Sequence, residues 1–189
     1  MCGRYSLKNS GRVKEIYNLD LKPKYNIAPS QKILTVTDKP QMMKWSYSPS
    51  WAKKPMNLFN ARSETLNEKP SFREAKRCVI VADGWYEWKK EAESKTPYYH
   101  HLNGEVFHFA GLYNPDGCLI VTKEACSELF HIHGRMPVLV GDSEIGDWLG
   151  GKDLFASPLS NLIHTYPVSK HVNNPRNDDE NCCKEMTSP

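Results

Sequence analysis

RCVIVADGWYEWKK, residues 77–90, is the stretch that indicates most clearly what kind of fold this 189-residue chain adopts. It is rich in β-branched and aromatic residues, which favour strands. Six further stretches have the same character and are separated by Gly, Pro and Asn: KILTVT (32–37), MMKWSYS (42–48), TPYYHHL (96–102), EVFHFAGLY (105–113), GCLIVTKEA (117–125) and RMPVLV (135–140). A DKPQ turn predicts that the first two of these pair, and Asn103–Gly104 predicts a two-residue hairpin.

Helices are predicted to be few and short. The candidate helices are 12–19, 71–76, 126–132, 143–149 after a cap at Asp142, and 158–164. The expected fold is therefore α+β, built on a mainly antiparallel, barrel-like β-sheet with short peripheral helices. Residues 1–178 are expected to form a single domain, and the polar residues 179–189 to fray.

Composition limits the class of protein. Hydrophobic residues make up 39% of the chain and charged residues 25%, as in a globular domain. The apolar runs are too short to span a bilayer and no secretion leader is apparent, so a cytoplasmic protein is expected. The six cysteines contain no CxxC pair, which favours free thiols and no bound metal. A net charge of +3 permits nucleic-acid binding without requiring it.

Cys2 occupies a chemically special position. Processing enzymes remove Met1 when the second residue is small, and the product would carry an amine and a thiol on adjacent carbons. An α-amine has a pKa of about 7.7 to 8, so part of it is neutral and nucleophilic at cellular pH. Such an aminothiol condenses with an aldehyde to an imine, and the thiol then closes a thiazolidine ring. The alternative is a cysteine that simply packs in the core.

Asn60 and Arg62, in FNARSET, stand two residues apart. In an extended segment both side chains would project to one face, with an amide beside a phosphate-binding guanidinium. The alternative is that Asn60 caps a helical turn.

Glu87 lies among aromatic residues in GWYEWKK. Such a carboxylate either pairs with a buried cation or has a raised pKa suited to general acid catalysis.

In HIHGRMPV, a strand that began early would place His131, His133 and Arg135 on one face, as a proton-transfer and anion-binding group. Trp51, next to Pro49, is the candidate platform for stacking a nucleic-acid base, whereas Trp45 and Tyr47 can fill the core.

Eight motifs occur together in one order: CGR, YNIAPSQ, WSYSPSW, FNARSET, RCVIVADGWYEW, FAGLY, HGRMPV and VSKHVNNPRND. In this the chain resembles the SRAP family over residues 2–178. The resemblance implies a sensor of abasic sites in single-stranded DNA that forms a covalent crosslink through Cys2. It also implies roles for further residues. Asn60 would orient the cysteine and the sugar, Glu87 would be the acid/base group, His133 would assist proton transfer, and Thr122 would lie near this pocket. Arg4, Arg62 and Arg135 would hold phosphates, and Pro29 and Trp51 would border the DNA path.

Two other functions stay open at this stage. A cysteine peptidase would use Cys2 with His133 as base, and a non-covalent single-strand-binding module would use the arginines and aromatics alone. Neither a cofactor nor a metal is expected, and the protein is expected to be a monomer, associated with the nucleoid if bacterial. An enzyme of this kind would be classed as a lyase or a thiol peptidase.

Overall fold

The structure, a computed structural model, describes residues 2–187. Its strands are β1 Tyr5–Leu7, β2 Lys24–Ile27, β3 Lys32–Val36, β4 Pro40–Lys44, β5 Asn60–Arg62, β6 Lys76–Ala82, β7 Gly84–Lys90, β8 Lys95–His101, β9 Phe107–Asn114, β10 Gly117–Glu124, β11 Arg135–Pro137, β12 Leu139–Val140 and β13 His164–Pro167. Its α-helices are α1 Ser10–Tyr17, α2 Ser127–Phe130 and α3 Ile145–Leu149. Short 3-10 helices lie at Ser63–Thr65, Pro70–Phe72, Asp142–Glu144, Pro158–Leu162, Lys170–Asn173 and Glu180–Cys182.

The strands form two sheets. One has five strands in the order β13-β8-β7-β1-β2, and the other has eight, in the order β11-β10-β9-β6-β3-β4 with β12 on β9 and β5 on β10. The pairings are antiparallel except that β5 runs parallel to β10. The prediction of a mainly antiparallel α+β fold is confirmed. Across residues 2–187 the two sheets stay open at their edges, so the barrel-like expectation does not extend to a closed barrel.

Asp83 and Gly84 carry the chain from one sheet to the other. The stretch 77–90 contains β6 of the large sheet and β7 of the small one. The buried Asp83 carboxylate accepts hydrogen bonds from Ser6 Oγ (2.6 Å) and from the backbone N–H groups of Lys8 (2.6 Å) and Asn9 (2.7 Å). A Cβ on Gly84 would lie 2.1 Å from Tyr99 Oη, so this close approach requires glycine.

Both sheets are covered on both faces. Between them, Tyr5 and Trp85 of the small sheet meet Phe109 of the large one, with ring centroids 5.7 and 6.1 Å apart. The outer face of the large sheet packs on Trp148 of α3, whose indole N–H donates to the Cys78 carbonyl (2.9 Å). The outer face of the small sheet packs on the C-terminal segment, including Cys182. Burial of strand residues on both faces explains the near-continuous apolar runs of the sequence.

Of the two turns predicted to join paired strands, one does so in the structure and the other does not. The Asn103–Gly104 turn exists, with φ of 55° and 80°, but it joins β8 to β9, which belong to different sheets. The prediction of a hairpin there is wrong because turn chemistry fixes only the local reversal of the chain. The β3–β4 pair around DKPQ is confirmed, with Val36 opposite Pro40.

The predicted helices are mostly shorter than expected. Residues 71–76 contain only part of the 3-10 turn Pro70–Phe72 before β6 begins, and 158–164 contain the 3-10 helix Pro158–Leu162. Asp142 is not a cap, since the Glu144 carboxylate instead accepts from the Gly141 N–H (2.8 Å). With so few residues per helix, tertiary packing rather than propensity decides their length.

The C-terminal residues contact the rest of the domain as far as Met186, whose N–H donates to the Pro167 carbonyl (2.9 Å). Cys182 is fully buried, and Glu185 forms a bridge with Val168. Residues 179–189 were predicted to fray because they are mostly polar. The structure differs as far as it is described, because the single buried side chain of Cys182 holds this segment against the domain. Residues 188 and 189 lie outside the described residues.

Candidate active site and nucleic-acid interface

Cys2 is buried immediately before β1, next to Asn60. The Asn60 side-chain amide donates to the Cys2 carbonyl oxygen (3.0 Å), which holds the N-terminal segment against β5. Burial raises the pKa of the Cys2 thiol well above its usual value, and the charge of Glu87 raises it further. The thiol is therefore protonated at neutral pH. Cys2 is thus buried, as a core-packing cysteine would be, and it also lies beside Asn60.

Asn60 lies at the start of a strand rather than at a helix cap. β5 pairs with β10 so that Asn60 stands opposite Ile120 and Arg62 opposite Thr122. The extended segment expected from FNARSET is therefore present. Arg62 is exposed, and Asn60 is partly buried beside Cys2.

Glu87, in β7, is buried with 3% of its surface exposed. Burial raises the pKa of its carboxyl group to about 7. A group with this pKa exchanges protons readily at neutral pH, as a general acid and base must. Of the two alternatives that the aromatic surroundings left open, pairing with a buried cation or a raised pKa, the burial of Glu87 agrees with the second.

His133 follows α2 and faces Glu87, with Nδ1 3.7 Å from Oε2. Its Nδ1 lies 3.1 Å from the backbone nitrogen of Arg135 and 3.2 Å from the Arg135 carbonyl oxygen, so it accepts from the N–H in one tautomer and donates to the carbonyl in the other. Burial lowers the pKa of His133, which favours the neutral form of the ring. His131 does not join the group, because β11 begins only at Arg135 and His131 is exposed at the end of α2.

Arg135 is held by an acidic residue that the sequence analysis missed. Its guanidinium binds Glu64 through two hydrogen bonds (2.5 and 2.9 Å) and lowers the pKa of that carboxyl group to about 2. The same guanidinium donates to the carbonyl and hydroxyl oxygens of the buried Thr122 (2.8 and 3.3 Å). Glu64 follows Arg62 by two residues in FNARSET, so its place in the motif was the available signal.

An open cleft of about 470 Å³ joins several of these groups. It is lined by Arg4, Glu87, Trp88, Lys95, His133 and Asn173. Arg4 Nη1 donates to Asn26 Oδ1 (2.8 Å) and to the Val172 carbonyl (2.7 Å), and its guanidinium lies 5.8 Å from the centre of the Trp88 ring. Of the lining residues, Trp88, Lys95 and Asn173 were not predicted. The structure thus brings Arg4, Glu87 and His133 to one cleft.

Four predicted DNA-contacting residues lie apart from the lining of this cleft: Arg62, Arg135, Pro29 and Trp51. Trp51 is 57% exposed, as expected for a stacking platform, whereas Trp45 and Tyr47 are buried. Pro29 is half-buried in the turn after β2.

One group of metal-ligating side chains occurs among residues 2–187, namely His171, Asp179 and Cys182, whose ligand atoms lie within 4.8 Å of one another. These atoms already have protein partners. His171 Nε2 and Asp179 Oδ2 are 2.9 Å apart, and the Cys182 thiol lies 3.4 Å from the Asn177 carbonyl oxygen. The group therefore completes its hydrogen bonds within the protein. The described helices, for their part, are all too short or too polar to cross a bilayer.

Comparison with known proteins gives consistent results. The family model described as SOS response associated peptidase (SRAP) matches residues 1–175. The abasic site processing protein YoqW of Bacillus subtilis is 36% identical, with 94% of this chain and 96% of that protein covered. The abasic site processing protein YedK of Escherichia coli is 31% identical, with 82% and 81% covered.

Solved structures agree on the fold. A protein from Bacteroides thetaiotaomicron superposes with a TM-score of 0.79 at 24% identity, covering 98% of this chain and all of that one. A phage-related protein from Bordetella bronchiseptica gives a TM-score of 0.67 at 26% identity, with 88% and 94% covered. From the matched residues and the extent of these similarities, the chain belongs to the SRAP family.

Proposed function

We propose that this protein recognises abasic sites in single-stranded DNA and bonds covalently to them through Cys2 after removal of Met1. The observation that carries the proposal is that buried Cys2 lies against Asn60 and within range of the charge of Glu87. Asn60 holds the Cys2 carbonyl (3.0 Å), and the charge of Glu87 acts on the Cys2 thiol. The names of the relatives, which are abasic site processing proteins, support the same substrate.

The chemistry begins at the amine of a processed Cys2. The neutral amine adds to the aldehyde of the ring-opened abasic sugar and gives a carbinolamine. Loss of its hydroxyl group as water, with a proton supplied by Glu87, leaves the protonated imine. The thiol then adds to the imine carbon, its proton returns to the Glu87 carboxylate, and the thiazolidine ring is closed with a neutral ring nitrogen. The steps are the addition of the amine and of the thiol to the same carbon, the loss of water and the transfer of protons. No step changes an oxidation state, so no oxidant or cofactor is required.

Glu87 and His133 suit the two proton transfers. A carboxyl group with a pKa of about 7 is partly protonated at neutral pH, so it can donate to the leaving hydroxyl and later accept the thiol proton. His133, 3.7 Å from Glu87, would exchange protons with it and with the sugar hydroxyl during ring opening. Asn60 would orient Cys2, and Thr122 would act through the guanidinium of Arg135 that it binds. Arg4, Arg62, Pro29 and Trp51 remain proposed DNA contacts.

A cysteine peptidase is a weaker alternative. Such an enzyme needs a thiolate activated by a nearby imidazole. Here burial and Glu87 both raise the pKa of the Cys2 thiol, and the Nδ1 atom of His133 is held by the Arg135 backbone. These surroundings favour a protonated thiol that acts after the amine. A monomeric state, a cytoplasmic or nucleoid location, the absence of a metal and classification as a lyase also remain predictions.

The test uses a single-stranded oligonucleotide with one abasic site and denaturing gels. Wild-type protein is expected to give an SDS-resistant adduct, and Cys2→Ala none. Cys2→Ser keeps the amine without the thiol, so its adduct should survive only after borohydride reduction of the imine. Cys126→Ala, which removes a partly buried thiol outside the site, is the matched control and should react like the wild type. Intact-mass measurement should show that Met1 is absent from the reactive protein. Equal bands from wild type and Cys2→Ala would refute the proposal, and hydrolysis of a generic peptide lost in Cys2→Ala would favour the peptidase.

A further inference from the structure

The positively charged side chains around the Glu87–His133 pair differ in how many hydrogen bonds and ion pairs they make with other protein groups. The guanidinium of Arg135 is occupied by the Glu64 carboxylate and by Thr122. Arg4 donates through Nη1 to Asn26 and Val172. Lys95 lines the same cleft and is exposed, and within residues 2–187 the structure shows no hydrogen bond or ion pair from its side chain. An incoming anion would therefore meet Lys95 without displacing a protein partner.

The neighbouring residues of the β7–β8 hairpin explain why the Lys95 ammonium group has no ion-pair partner among the described residues. The turn carries two acids, Glu91 and Glu93, and within residues 2–187 the structure shows no ion pair from either to Lys95. Glu91 instead accepts hydrogen bonds from Thr96 Oγ1 (2.9 Å) and Ser94 Oγ (3.4 Å). Directly across the ladder from Lys95 stands another lysine, Lys90. Like charges opposite each other on neighbouring strands repel, so Lys90 offers Lys95 no protein partner.

The position of Lys95 also complements that of the arginines. Lys95 begins β8 in the five-stranded sheet, whereas Arg62 and Arg135 lie on β5 and β11, which both pair with β10 in the eight-stranded sheet. Glu87 and His133 stand between these two sets of cations, since one belongs to β7 and the other directly precedes β11. Lys95 is close enough that its charge contributes to lowering the pKa of His133.

We propose that Lys95 binds a backbone phosphate of the DNA strand on the side of the cleft formed by the five-stranded sheet. The strand would then be held from both sheets, with its reactive sugar between them. This inference rests on the proposed function for the identity of the strand. Lys95 acts in binding and takes no part in the chemical step.

The experiment measures binding of an undamaged single-stranded oligodeoxythymidylate over a range of salt concentrations. Lys95→Gln is expected to lower the affinity by about threefold to tenfold and to reduce the slope of log K against log salt by about 0.7, the value for one phosphate contact on a single strand. Lys95→Arg should keep the wild-type slope. Lys90→Gln, which removes the lysine opposite, is the matched control and should also keep it.

A second readout separates binding from chemistry. With saturating abasic-site DNA, Lys95→Gln should form the adduct at the wild-type rate, and only at limiting DNA should it be slower. A wild-type salt slope in Lys95→Gln, an equal loss in Lys90→Gln, or slower adduct formation at saturation would overturn the assignment. If Lys95→Gln reduced the salt slope as expected but wild-type protein gave no adduct with abasic-site DNA, the proposed function would be refuted and the role of Lys95 in binding would stand.

Discussion

Replacing Glu87 with glutamine should make the protein more stable at pH 8 while abolishing its reaction. The carboxyl group has a pKa of about 7 in the folded protein, against an ordinary value of 4.5 for glutamate. Between these two pH values the unfolded chain ionises while the folded chain stays protonated, so stability falls as pH rises. The fall is about 1.4 kcal/mol for each pH unit, or roughly 3 kcal/mol in all. Above pH 7 the Glu87 carboxylate is ionised in the folded chain as well, so the loss of stability has reached its full value and no longer changes with pH.

Glutamine has nearly the same shape and does not titrate. The stability of Glu87→Gln relative to wild type should therefore rise by about 2 to 3 kcal/mol between pH 5 and pH 8. Urea denaturation of both proteins at the two pH values measures this difference. Glu64→Gln is the matched control, since the carboxyl group of Glu64 has a pKa of about 2 and is ionised throughout this range. Its effect should be the same at pH 5 and pH 8. A pH-independent difference for Glu87→Gln would refute the reasoning, because the carboxyl group would then not have a raised pKa in the fold.

Two further predictions concern the fold and the DNA path. Gly84→Ala should destabilise the protein by about 1 to 3 kcal/mol in urea denaturation, since its Cβ would meet Tyr99 Oη at 2.1 Å. Gly146→Ala, in α3 with no atom within 4 Å of the added Cβ, should instead be neutral or stabilising, and equal effects would contradict the packing argument. Trp51→Ala should weaken binding of undamaged single-stranded DNA by about 1 to 3 kcal/mol, the range for one stacked base. Its urea midpoint should stay unchanged because Trp51 is 57% exposed, and unchanged binding would remove it from the DNA path.

Strand positions could be predicted from the sequence more closely than strand partners. The β-branched and aromatic runs located β6 to β10 to within a few residues, because such side chains favour a pleated, buried backbone. The sequence pattern could not predict which of the two sheets each strand joins. Asp83–Gly84 lies inside one apparent strand, yet it carries the chain between the sheets. The reason is long-range, since the Asp83 carboxylate is bound by Ser6, Lys8 and Asn9, more than seventy residues earlier.

The candidate site divides in a similar way. Motifs supplied the residue types, but the aromatic surroundings of Glu87 left open whether its carboxyl group is ion-paired or has a raised pKa. Which arginine is free and which is paired depends on contacts that no local pattern contains. Arg135 meets Glu64 across 71 positions of sequence, and Arg4 meets the Val172 carbonyl across 168.

By itself, the sequence determined the α+β class, the order of the motifs and the residue types that can react with an aldehyde. These properties follow from local composition and from the chemistry of single side chains. Only the tertiary structure decided that Cys2 is held by Asn60, that Glu87 faces His133 and that Lys95 completes the lining of their cleft. Such placements depend on how two sheets and a packed C-terminal segment meet, and burial at that junction gives Glu87 and Cys2 their altered pKa values.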